Sequence, residues 1–232
     1  TLEIIFAPLA IIAMFSASFV AVFQTNFKRM LAYSSIAQVG YILLGIAFLS
    51  ETGLTAAILH IFNHGITKAL LFMGAGALVL RTGGSFYTQA AGLGRKMPIT
   101  CGAFVIGGLS LIGVPGTAGF LSKFLLVQAA LEKAADNAMY LAVAVAIVLS
   151  SLLSVVYVWR AIEVLFLQEP DPNSTATEAP LMMLIPMWIL AAAVIWFGFS
   201  TDFLYDTANQ AALGLLDGSK GMLPAAILGG AQ

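Results

Sequence analysis

Residues 54–80 read LTAAILHIFNHGITKALLFMGAGALVL, an apolar stretch long enough to span a bilayer, with Lys68 almost at its middle. Lipid offers the backbone no hydrogen bonds and the chain shows no alternating strand pattern, so such a stretch can only be a helix. An ammonium group near the middle of a membrane costs roughly 2.5 kcal/mol or more on insertion scales. A lysine held there implies a protein that handles charge inside the membrane.

Composition points the same way. The chain is 60% hydrophobic and 9% charged, against about 25% charged residues in a soluble domain. It reads as an integral membrane protein, and a net charge of −1 argues against nucleic acid as a partner. A lone Cys101 excludes an internal disulfide and a cysteine metal cluster. Two histidines with no acid beside them make a zinc site an unfavourable reading. No nucleophile triad, P-loop or dinucleotide fingerprint is present, and no cofactor is expected.

Hydropathy divides the chain into six firm spans, over residues 2–23, 30–49, 54–80, 98–112, 138–167 and 181–200. A shorter apolar piece at 120–131 follows the sequence GVPGTAG, where Pro115 and three glycines should interrupt any helix. Twelve or so residues cover only about 18 Å, so this piece is either tilted and extended by its neighbours or one half of a broken helix. Broken helices at membrane depth line polar cavities and mark transport sites. The loop at 168–180 is acidic, Pro-rich and outside the membrane. It carries a weak glycosylation sequon at Asn173-Ser174-Thr175. Residues 1–200 read as one membrane domain. The tail, 201–232, is mixed in polarity, interfacial or a weak further span, with a faint apolar run at 222–228. Lys28, Arg29, Arg81, Arg95 and Lys96 fall on one side if each span crosses once, and the positive-inside rule makes that side cytoplasmic. The chain lacks a starting Met and a basic n-region, so its start is read not as a signal peptide but as the edge of a longer protein.

His60, His64 and Lys68 follow one another at four-residue steps, each drifting about 40° around a helix. They form one polar stripe about 12 Å long, flanked by Asn63 and Thr67. Imidazole titrates near neutral pH and burial disfavours a charged lysine, so the stripe suits a proton relay. The competing reading is a stripe that only packs against partner carboxylates. Lys123, just after the Gly/Pro break, is either a second buried base or a lysine reaching the interface along its stem. Lys28 and Arg29 taken alone read as interfacial anchors. Arg160 and Glu163 are spaced to pair with each other. Glu132, Lys133 and Asp136 read as a solvated turn or a polar break in a helix. Gly74, Gly76 and the Gly107-Gly108 pair suit close helix packing rather than phosphate binding.

Three segments in this order, QTNFKRMLAYSSIAQVGYILLGIA, HIFNHGITKALLFMGAG and GLSLIGVPGTAGFLSKFLL, resemble the antiporter-like proton-channel subunits. That family includes the D-type subunit of Mrp-type Na+/H+ antiporters and the large membrane subunits of complex I and membrane-bound hydrogenases. The resemblance implies an all-α polytopic fold: the second five-helix repeat with one discontinuous helix, plus flanking helices. It implies that Lys28 is the lysine linking two half-channels, that His60, His64 and Lys68 lie on the central axis, and that Lys123 is the terminal residue of the broken helix. The interruption is then expected at residues 132–137, with 120–131 and 138–167 as the two halves. The first repeat, with its glutamate and central lysine, has no counterpart here, so a fragment or a split subunit is expected.

The function expected from the resemblance is proton movement along this Lys/His axis in a multisubunit monovalent cation/proton antiporter. The alternatives are a proton-pumping subunit of a complex I-like NADH-quinone oxidoreductase or hydrogenase, and a structural scaffold. The chain itself carries no redox site. Its expected partners are other membrane subunits, the lipid bilayer, protons, and Na+ or K+. Its expected location is the cell inner (plasma) membrane, crossed several times.

Overall fold

A computed structural model describes residues 2–170, 172 and 175–222. Residues 173, 174 and 223–228, on which the sequon and most of the weak apolar run fall, lie outside the described residues. The described chain is built from helices joined by loops: α1 (Leu2–Val22), α2 (Phe27–Ala47), α3 (Glu51–Thr82), the short α4 (Tyr87–Ala90), α5 (Pro98–Ile112), α6 (Ala118–Ala134), α7 (Met139–Phe166), α8 (Leu181–Phe199) and α9 (Asp202–Met222). Five of these, α1, α2, α3, α7 and α8, are long and apolar enough to cross a bilayer alone.

Local chemistry sets the ends. Asn26 caps α2 by accepting from Arg29 N at 3.1 Å, and Ser50 caps α3 by accepting from Gly53 N at 3.1 Å. Pro98 opens α5, where its missing N–H costs nothing. Gly83 and Gly113 close α3 and α5 in left-handed conformations, with φ of 75° and 93°. The segment Tyr87–Arg95 meets α5 at 109°.

α5 and α6 are two halves of one span. Along α3, in order, Gly74 lies under Phe104, Leu71 lies against Gly107, Thr67 bonds Ser110 and His60 bonds Ser122. The chain from 104 to 122 therefore runs down α3 in a single direction, across a break at residues 113–117. Pro115 and the left-handed Gly113 and Gly116 explain the break. This corrects the expected interruption at 132–137. There the chain reverses, and Leu126 and Ala130 of α6 share a core cluster with Val143 and Ile147 of α7 as in an antiparallel hairpin. The polar run that suggested a mid-helix break is a surface turn. With α5 and α6 joined, the order α1, α2, α3, α5–α6, α7 is a five-span repeat with its fourth member broken, and α8 flanks it.

α8 ends at the same depth as that break. A Cβ on Gly198 would lie 2.4 Å from the Gly116 carbonyl, and Phe197 packs edge-on to Phe62. α9 continues along α3, where Thr55 bonds Asn209 at 3.0 Å. At the other end, Phe27 N donates to Ser85 O and Tyr87 N to Thr25 O, each at 2.9 Å. Gly92 N bonds Val164 O, and Arg81 bonds Glu178 O. These bonds gather Lys28, Arg29, Arg81, Arg95 and Lys96 on one side of the bundle.

Candidate functional site: a buried lysine–histidine row

The row forms as its spacing requires. On α3, His60, Lys68 and the intervening Asn63 and Thr67 are buried, Lys68 to 7% exposure, and His64 is half-buried. The two imidazoles stand 6.3 Å apart, centre to centre, with their planes 6° from parallel. Lys123, from α6, is also 7% exposed.

Neither lysine has a described carboxylate at ion-pair distance; Lys133 pairs with Glu3 at 2.8 Å, away from the row. Lys68 Nζ donates to Leu31 O at 2.8 Å and to Ser34 Oγ, both on α2. Lys123 Nζ donates to Leu111 O at 2.9 Å and Ile112 O at 3.0 Å. Those carbonyls belong to the last turn of α5, left without helical partners by the break. They carry the negative pole of the half-helix, so the interruption itself builds the seat for Lys123. Its ammonium also lies 4.9 Å from the Tyr41 ring centre. Within this chain the partners of both ammonium groups are neutral oxygens.

His60 bridges helices. Its Nε2 faces Gln38 Oε1 at 3.0 Å and its Nδ1 faces Ser122 Oγ at 2.9 Å. With the amide so oriented, Nε2 carries the proton and Nδ1 accepts from the Ser122 hydroxyl. Ser122 has a second acceptor, Gly119 O, at 3.4 Å. When a proton reaches Nδ1, Ser122 can turn to accept from it and donate to Gly119. His60 thus has a hydrogen-bonded arrangement in both protonation states.

His64 Nδ1 and Asn63 Oδ1 have no hydrogen-bond partner. Both residues line a small cavity together with Gln38, Ser110 and Gly119. It encloses about 10 Å³, room for roughly one water, and both histidines and Gly119 line it.

The remaining expected residues fall elsewhere. Lys28 and Arg29 sit exposed on the first turn of α2, and the structure does not bring Lys28 into the row. Arg160 does not pair with Glu163: it donates to Val22 O at 2.9 Å and lies over the Tyr87 ring. Glu132 accepts from Gln128 and Lys133 bonds Glu3, so that turn is tied rather than free. Gly74, Gly107 and Gly108 admit Phe104, Leu71 and Val158 at close range, whereas Gly76 meets only the tip of Met183. Sequence reasoning missed Ser34, Gln38 and Tyr41. Their spacing of four and three places them on one face of α2, a signal hidden by the surrounding apolar residues.

The family described as NADH:quinone oxidoreductase/Mrp antiporter, TM, matches residues 1–153. NADH-quinone oxidoreductase subunit N of Desulforudis audaxviator is 40% identical over 209 residues, 84% of this chain and 41% of that protein. The D-type subunit of the Na(+)/H(+) antiporter of Alkalihalophilus pseudofirmus is 34% identical over 209 residues, 90% of this chain and 42% of that protein. A chain of the Mrp complex from Dietzia sp. superposes with a TM-score of 0.85 at 26% identity, over 93% of this chain and 47% of that one. A chain of respiratory complex I from Thermus thermophilus gives 0.79 at 23% identity, over 90% and 44%, and speaks for the fold alone. The chain spans less than half the length of these relatives. It belongs to the NADH:quinone oxidoreductase/Mrp antiporter transmembrane family.

Proposed function

We propose that this chain is the proton-translocating half of an antiporter-like membrane subunit, moving protons between Lys68 and Lys123 through His64 and His60. One observation carries the reading: two buried lysines, each held only by neutral oxygens, with a histidine pair between them and a helix break seating the second. A lysine so held can give up its proton without leaving an unpaired carboxylate behind. A proton arriving at one base repels a proton on the next, so charge moves stepwise along the row. In this reading residues 1–200 are the translocating part and 201–232 a tail, and the side bearing Lys28, Arg95 and Lys96 faces the cytoplasm. Lys28, at the rim, would exchange protons with a segment outside this chain.

Two hosts are supported. The superposition on the Mrp complex chain favours a monovalent cation/proton antiporter in the inner membrane, with Na+ or K+ as counter-ion. The higher identity to a subunit N, 40% against 34%, favours a redox-driven complex. Reconstituting the native complex separates them: proton uptake driven by a Na+ or K+ gradient supports the first, and uptake that needs quinone reduction the second. The test of the proton path itself is Lys68→Ala in that complex. The expected result is normal assembly with proton transport lost; assembly with wild-type transport overturns the reading.

A further inference from the structure

Among the described residues, six buried polar side-chain atoms have no hydrogen-bond partner. Two belong to the cavity beside His64. The other four are Ser18 Oγ on α1, Gln38 Nε2 on α2, and Ser154 Oγ and Tyr157 OH on α7. Helix register brings these four together. α1 and α7 run in the same direction, and Ser150 Oγ bonds Met14 O at 3.4 Å. One turn further, Ser18 stands level with Ser154. α2 runs the opposite way, with Tyr41 OH 3.2 Å from Ser151 Oγ. Moving toward the start of α2 puts Gln38 level with Ser154 and Ser34 level with Tyr157. Ser34, Gln38 and Ser154 are the near polar neighbours of the Tyr157 hydroxyl, yet none meets it at direct hydrogen-bond geometry. Ser18, Ser34 and Ser154 are each 0% exposed.

The file has a lysine near each end. Ser34 Oγ accepts from Lys68 Nζ and donates to Leu31 O at 2.9 Å, so it joins the file when its hydroxyl turns to Tyr157. Lys123 Nζ lies 4.9 Å from the Tyr41 ring centre, and the link between them is a water that joins the ammonium to the Tyr41 hydroxyl rather than the ring face. From Ser34 to Tyr41 is seven residues of α2, about 10 Å, a distance a few hydrogen bonds cover. An apolar helix gains nothing from unpaired buried hydroxyls, and a water bridging two or more of them satisfies all at once. A monovalent cation is the poorer occupant, because Lys68 stands at one end of the file and Lys123 at the other.

We infer that Ser34, Tyr157, Ser154, Ser18 and Tyr41, bridged by ordered water, form a second proton branch joining Lys68 to Lys123 behind the histidine row. The inference rests on the proton-path reading above. Each hydroxyl or water takes a proton on a lone pair as it passes its own proton on. Every oxygen ends neutral, one lysine has lost a proton and the other has gained it. The file and the histidine row share both lysines and lie on opposite sides of Gln38, whose Oε1 serves His60 while its Nε2 is left to the file.

The test compares proton uptake by the reconstituted native complex, read with a pH-sensitive dye, for Tyr157→Phe, His60→Leu and the pair together. His60→Leu alone is expected to keep measurable uptake, carried by the hydroxyl file. Adding Tyr157→Phe is expected to lower that remainder by about tenfold, the rate equivalent of one hydrogen bond. Ser154→Ala in the His60→Leu background repeats the measurement with a smaller change, should the tyrosine variant not assemble. If neither second substitution alters uptake in either background, the branch does not exist. Lys68→Ala read alongside separates the two claims: a silent Tyr157→Phe with an inactive Lys68→Ala removes only the branch, whereas a fully active Lys68→Ala removes the whole proton path.

Discussion

At the scale of single residues, the site depends on small groups as much as on its bases. Ser122 contributes one hydroxyl, yet it is the group that lets His60 hold a hydrogen bond at Nδ1 with or without a proton. Ser122→Ala is expected to slow proton transfer by about tenfold, as one hydrogen bond to the transferring group is lost, while Ser122→Thr, which keeps the hydroxyl, retains most of it. Dye-monitored uptake by the two variants checks this; equal rates in both would remove Ser122 from the path. The row itself was legible in the sequence, because three ionisable residues at four-residue steps in an apolar stretch have one geometric meaning. Lys28 was not, because a lysine at a helix start reads the same whether it anchors the interface or faces another segment. Ser34 and Gln38 were invisible for a different reason: their role depends on α3 and α7, which local spacing does not reveal.

At the scale of elements, the decisive feature is the break at residues 113–117. The sequence offered two polar interruptions, and the resemblance selected the wrong one. GVPGTAG interrupts a span that continues in the same direction, whereas the Glu132-to-Asn137 stretch reverses the chain. Pro and left-handed Gly end a helix without requiring it to turn back. Two predictions concern the elements around this break. A Cβ at Gly198 would enter the backbone of Gly116 and Thr117, so Gly198→Ala must displace α8 from the break at a cost of about 1–3 kcal/mol. Lower thermal stability of the solubilised protein, with the secondary structure intact, is the expected result; an unchanged midpoint would show that α8 does not support the break. At the other end of α5, the Glu178 carboxylate accepts from Ile99 N at 2.6 Å, Thr100 N at 3.3 Å and Thr100 Oγ1 at 2.7 Å. It serves as a cap supplied from the 168–180 loop. Glu178→Ala should cost about 1 kcal/mol and speed amide exchange at residues 99 and 100, leaving the buried row protected.

At the scale of the whole molecule, the broad architecture was open to sequence reasoning and the assembly was not. Long apolar runs can only become helices in lipid, so the span pattern follows from composition. The loop contacts then fix which polar ends share a side. Single cysteines test that arrangement: one at position 86 should react with an impermeant reagent from one side of the membrane and one at position 135 only from the other, with buried Cys101 silent. Reaction of both from the same side would break the span order. The host complex is not written in these residues, because nothing on the row distinguishes a cation gradient from a redox reaction as the driving force.

The most direct test of the proton path is a double-mutant comparison of Lys68→Ala, Lys123→Ala and both together, measured as proton uptake by the assembled native complex. A path in series through both lysines predicts that either substitution alone removes transport and that the pair is no worse than one. Partial losses from each that multiply in the pair, or wild-type uptake in either single variant, would contradict it.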